Sequence, residues 1–255
     1  MKIRRFTPQQ TFQWIGCGFR FWKRKPLPWL AAGFLLSVFT LVVLMIPFVG
    51  VFFFAFFVPV VYASMFQTLS LQLDPARSAE LDKTSRVLFP LAALFRMVVT
   101  EQGALVLLIP GLIALVVALA VQVIFSLIGG PYTSIKADIL DIGALNMLRL
   151  AGAYVVAYVF YIVLMANYFY IVPLCLRDDV SPKGATVGGA RVAFRNIVSL
   201  SVFLAVLFSP MLICLFLVHA FPVVGMAAWL LAGSVVFPLA VHSAYCGNRL
   251  TFVSS

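Results

Sequence analysis

The chain has 255 residues, 64% of them hydrophobic and 10% charged, with a formal charge of +10 and a mean hydropathy of +1.10. No water-soluble domain of this size tolerates that balance, so composition excludes one and points to an integral membrane protein. The basic excess does not argue for nucleic acid either, because nearly all of it falls in short connections whose nearest partner is an anionic lipid headgroup.

The first residues, Met1-Lys2-Ile3-Arg4-Arg5, form a basic start. The apolar run begins only after Pro28 and no small-residue cleavage site follows it, so the first span is expected to be retained rather than removed as a leader. Within the amphipathic segment 1–29, Phe12, Ile15, Phe19 and Trp22 recur at helical spacing, while Arg20, Lys23 and Arg24 fall largely elsewhere around the turn. That pattern predicts an interfacial helix, ended by Pro26 and Pro28. Trp29 then stands where an aromatic anchor would hold the next helix at headgroup level.

From Lys25 to Asp74, and again from Arg195 to Arg249, no Asp, Glu, Lys or Arg interrupts the sequence. A hydrocarbon core takes roughly 20 helical residues to cross, so each gap holds two crossings. The uncharged intervals Glu101 to Lys136 and Arg149 to Arg177 hold one each. An unpaired peptide group facing lipid costs several kcal/mol, which makes these runs helices rather than barrel strands.

The spacing predicts spans at Leu30 to Ile46, Phe48 to Leu71, Ala104 to Ile128, Leu150 to Leu174, Val198 to Ala220 and Val223 to Tyr245. The expected fold class is all-α: a polytopic transmembrane bundle of six spans, arranged as three helical hairpins, each preceded by a cytoplasmic amphipathic elbow helix. Hairpins would occupy 30–71, 104–174 and 198–245 of a single membrane domain, with an outer loop at 129–147. Segments 72–103 and 175–197 would be cytoplasmic connections with elbows, and 246–255 a cytoplasmic tail.

Both terminal hairpins turn on a Pro placed just before a Gly, in Ile46-Pro47-Phe48-Val49-Gly50 and Phe221-Pro222-Val223-Val224-Gly225. The second elbow lies at Leu88 to Arg96. The third follows Asp178 and Asp179, with Ser181 as its N-cap and Pro182 at its first position. The first and third units overlay without gaps from Gly18 to Leu35 on Gly189 to Val206. Pro47 and Gly50 then match Pro222 and Gly225 at an offset one helical turn longer, and Pro59 matches Pro238 four residues further on, as an ancient hairpin duplication with insertions would leave them. The central hairpin fits only at its elbow.

Sixteen of the 18 Lys and Arg residues fall on one side of this topology, leaving Lys136 and Arg149 on the other. Basic residues resist translocation, so both termini are expected in the cytoplasm. Arg20, Lys23, Arg24, Lys25, Arg191 and Arg195 are the candidate lipid contacts, with anionic phospholipid at the cytoplasmic face as the partner they imply.

The fourth span carries Tyr154, Tyr158, Tyr161 and Tyr168 along one face, with Asn167 beside them. These five form a candidate polar seam, which either lines a path for a substrate, grips a lipid headgroup, or bonds to neighbouring helices. Cofactor and metal sites are not expected. His219 and His242 have no second His or carboxylate at ligand spacing, and all eight acids lie in connections or at membrane edges. Cys17, Cys175, Cys214 and Cys246 show no paired spacing, and three of them fall near the reducing cytoplasmic face, so free thiols are expected.

Val172-Pro173-Leu174-Cys175-Leu176-Arg177-Asp178-Asp179, followed by Pro182, Gly189, Ala190, Phe194 and Asn196, resembles a family of uncharacterised six-span inner-membrane proteins of proteobacteria. These residues are similar also to YciC-type proteins and to the membrane domain fused to some glycerophosphodiester phosphodiesterases. The resemblance implies a six-span architecture and a bacterial inner membrane, and it carries no catalytic residue. No HExxH, nucleophile elbow, phosphate loop or acidic metal cluster is present, so the expected function is non-catalytic envelope support or membrane assembly. The alternative is a permease for a small molecule or lipid.

Overall fold

The computed structural model describes residues 2–3, 5–44, 46, 49–73, 109–117, 119–120, 123, 152, 155, 159, 162–163, 166–176 and 180–253. Their regular structure is helical apart from one two-residue ladder. In chain order it comprises β1 (Lys2–Ile3), α1 (Pro8–Trp22), α2 (Pro26–Leu44), α3 (Val49–Gln72), a π-helical turn (Asn167–Ile171) that runs into α4 (Val172–Cys175), α5 (Pro182–Arg195), α6 (Ile197–Ala220), α7 (Pro222–Thr251) and β2 (Phe252–Val253). Residues 109–117 are also helical. The predicted elbow at Leu88 to Arg96 and the outer loop 129–147 lie outside the described residues.

Among the described residues, two helical stretches are long and apolar enough to cross a bilayer, Pro26–Val43 in α2 and Pro222–Arg249 in α7. A third qualifies when Lys183–Arg195 and Ile197–Met211 are taken together, and these two pieces meet at 82°. The bend falls at Asn196, whose backbone N–H reaches back to the Ala193 and Val192 carbonyls while its φ of −117° leaves the helical range. A helix lying nearly at right angles to an apolar helix is the geometry of a segment in the membrane plane.

Boundaries differ from the sequence reading at two ends. Pro26 opens α2 instead of merely breaking α1, because the first turn of a helix has no use for the N–H that proline lacks. At the other end α7 continues past Tyr245 to Thr251, carrying Gly247 and Asn248 up to Phe169.

The last helix organises the packing. Gly18 of α1 has no side chain where Ser243 passes, and a Cβ there would lie 2.6 Å from the Ser243 backbone nitrogen. Further along, Gly33 of α2 faces Pro238 and the Ser234 carbonyl, and Gly233 faces Ser37. Pro238 has no N–H for the Ser234 carbonyl four residues back, and Gly33 is the residue that comes up against that exposed oxygen. These small residues join helices of one chain.

The described residues flanking the two Pro-Gly sequences make matching contacts. Gly50 N–H bonds to Ile46 O at 3.0 Å and Gly225 N–H to Phe221 O at 2.8 Å. A side chain on Gly50 would strike Val43, and one on Gly225 would strike Val218, seven residues back in each case. The chain ends also meet: Lys2 pairs with Val253 and Ile3 with Phe252 in an antiparallel ladder.

Candidate functional site

In α1, Pro8 occupies the first turn and the Gln10 side chain accepts the Thr7 N–H at 3.0 Å. Thr11, Trp14 and Gly18 form its buried face. Thr11 Oγ1 donates to Ser199 O at 3.1 Å, and the Trp14 ring packs on Phe6, Phe169 and Phe203. The apolar stripe read from the sequence is split: Ile15 and Trp22 pack against the core, while Phe12 and Phe19 turn outward. Phe12 is 55% exposed and Phe19 40%. The helix therefore has two apolar faces, one consumed by the protein and one left outward.

The basic residues border that outward face. Arg20, Lys23, Arg24 and Lys25 are all exposed. Lys23 Nζ lies 4.5 Å over the Phe19 ring, which stacks on Trp22, and Arg24 lies 5.0 Å from the Phe21 centroid. Aromatic rings beneath cations keep the charge at the surface while their edges remain available to apolar chains.

The same plan recurs in α5. Ser181 Oγ accepts the Gly184 N–H at 3.2 Å, capping the helix as its sequence predicts. Ala185 and Val192 are buried, and Gly189 abuts Ile171, to which a Cβ would come within 2.6 Å. Val187, Arg191, Phe194 and Arg195 point outward, with Phe194 70% exposed. Asn196 ties this corner to the start of the chain. Its Oδ1 accepts the Phe6 N–H at 2.8 Å, its Nδ2 donates to Val192 O, and Ser199 Oγ donates to Phe6 O at 2.9 Å.

Of the polar seam, Tyr154, Tyr158 and Tyr161 lie outside the described residues, whereas Asn167 and Tyr168 are buried. Asn167 Nδ2 donates to Pro110 O at 2.8 Å, and Tyr168 packs against Tyr62 with centroids 5.8 Å apart. Asn167 thus makes a helix-to-helix bond. It also opens the π-helical turn, which ends just before Pro173. Proline has no N–H to give Phe169 O four residues earlier, and Asn248 Nδ2 of α7 donates to that oxygen instead, at 2.6 Å. Gly247 makes room for the Phe169 ring.

Two sequence expectations need correction. Cys17 and Cys246 are joined by a disulfide across 229 residues, so only Cys175 and Cys214 are free. The bond escaped the sequence because no local spacing brings such distant positions together. Trp29 is fully buried, edge-on to the His242 ring at 4.4 Å, and is no headgroup anchor. His242 bonds through Nδ1 to Pro238 O of its own helix at 2.7 Å. Asn248 went unnoticed in the sequence, although Pro173 already signalled an unserved carbonyl. Among the described residues, no three His, Cys, Asp or Glu side chains gather as a metal site requires.

No protein-family model matches the chain, and neither the curated proteins nor the solved structures contain a match.

Proposed function

We propose that the chain is a six-span bacterial inner-membrane protein, with both termini cytoplasmic, that serves envelope support or membrane assembly and holds anionic phospholipid at its cytoplasmic face. In this reading three elbow-and-hairpin units make up the bundle, as the resemblance to YciC-type proteins implies. The observation that carries it is the outward face of the two elbows. Each sets an exposed phenylalanine beside arginine or lysine, on a helix whose other side is already buried, and α5 lies nearly perpendicular to α6. Phe12, Phe19, Val187 and Phe194 would enter the acyl boundary while Arg20, Lys23, Arg24, Lys25, Arg191 and Arg195 meet phosphates. The paired chain ends support placing both on one side.

The test is native mass spectrometry of the protein extracted with its lipids. Changing those six basic residues to Gln is expected to strip anionic lipid while leaving zwitterionic lipid in place. Unchanged retention of anionic lipid by a folded variant would overturn the assignment.

A further inference from the structure

Cys17 and Cys246 have Cα atoms 6.2 Å apart where α1 crosses the C-terminal part of α7. The crossing is held by contacts that do not involve sulfur. Gly18 lies against Ser243, Gly247 against Phe169 and Trp14, Thr11 on the Ser199 carbonyl, and Lys2–Ile3 on Phe252–Val253. The sulfurs are therefore held in register whether or not they are bonded. Oxidation adds a covalent clamp to an interface that is already formed. Arg20, Lys23, Arg24 and Lys25 follow within eight residues of Cys17, so the clamp sits beside the basic part of the elbow.

We propose that Cys17 and Cys246 form a reversible thiol–disulfide site, exchanging with a low-molecular-mass thiol and disulfide couple of the glutathione class. Its state sets whether the basic elbow α1 is clamped to α7. The inference rests on the cytoplasmic placement of that elbow, because a pair facing a reducing compartment is cycled rather than permanently closed.

The exchange proceeds in two balanced steps. Cys17 is the more accessible of the two, since Cys246 is only 2% exposed. In closing, the Cys17 thiolate attacks the small disulfide RSSR, forming a mixed disulfide and expelling one thiolate RS⁻. The Cys246 thiolate then attacks the Cys17 sulfur of that mixed disulfide and expels the second. Two electrons pass from the protein sulfurs to RSSR, and the two protons lost from the cysteines end on two RSH molecules. Opening reverses both steps. Cys175 and Cys214, both buried and unpaired, should not take part.

The experiment uses the full chain in its native membrane, quenched with acid and alkylated with a polyethylene-glycol maleimide before and after reduction. In untreated cells the Cys17–Cys246 pair is expected to be open. Oxidised glutathione should close it and dithiothreitol reopen it, with the band shift abolished in both Cys17→Ser and Cys246→Ser. Limited trypsin digestion at Arg20 to Lys25 should be several-fold slower in the closed form, and this difference should vanish in Cys17→Ser. A pair that never closes under oxidant overturns the proposal. A pair closed in untreated cells, with a reporter at Ser181 on the cytosolic side, overturns the switch alone. A closed pair with that reporter outside overturns the cytoplasmic placement on which it rests.

Discussion

Asn248→Ala should destabilise the protein, and Pro173→Ala should rescue it. The wild-type amide donates to Phe169 O at 2.6 Å and to Ala244 O at 2.9 Å. Ala244 O can still receive the backbone N–H of residue 248, so the deletion strands only the Phe169 carbonyl. Interhelical hydrogen bonds in membrane bundles average about 0.6 kcal/mol and reach about 1.7. A buried carbonyl left bare costs about 1–3 kcal/mol. A loss near 1.5 kcal/mol is expected, which lowers Tm by about 3–6 °C at this chain length. With alanine at 173, a backbone N–H becomes available four residues after Phe169 and can take over the oxygen. In that background Asn248→Ala should cost only about 0.5 kcal/mol, a coupling of about 1 kcal/mol. Thermal unfolding followed by tryptophan fluorescence reads this directly, because the Trp14 ring centroid lies 5.3 Å from that of Phe169. Equal losses in both backgrounds would refute the role given to Asn248.

The neighbouring glycines should respond with opposite signs. Gly16 has nothing within 4 Å of a built Cβ, so Gly16→Ala should raise stability by about 1 kcal/mol through helix propensity, whereas Gly18→Ala should cost about 1–3 kcal/mol against Ser243 in the same melting assay. Ser181→Ala removes the cap of α5 and should cost about 1 kcal/mol, seen as faster amide exchange in the first turn of that helix while α7 is unchanged. Asn196→Ala removes the bond to the Phe6 N–H while leaving the Ser199 bond to Phe6 O, so N-terminal proteolysis should accelerate several-fold with little change in the melting of the bundle.

The long apolar helices were legible because their signal is an absence: a charge inside lipid is so costly that gaps in Asp, Glu, Lys and Arg mark the helices directly. Pro182 with Ser181, and the two Pro-Gly turns, were legible because proline and glycine act through the local backbone. The exposed basic residues of the elbows were equally plain. What the sequence hid was long-range. Which side of α1 meets the protein depends on α7, more than two hundred residues later, so Phe12 and Phe19 could be placed on a stripe but not turned outward or inward. Trp29 reads as an anchor until His242 is seen beside it. Cys17 and Cys246 look unpaired until α1 is laid across α7, and Asn248 has no visible purpose until the carbonyl left open by Pro173 comes within reach.

Reporter fusions at Ser134 and Ser181 bear most directly on the bilayer topology from which every assignment descends. A phosphatase that is active only outside the cytoplasm should light up at Ser134 and stay dark at Ser181, with a cytosolic fluorescent reporter giving the reverse. Both sites reporting the same side of the membrane would contradict the six-span arrangement, and with it the cytoplasmic placement of the basic elbows.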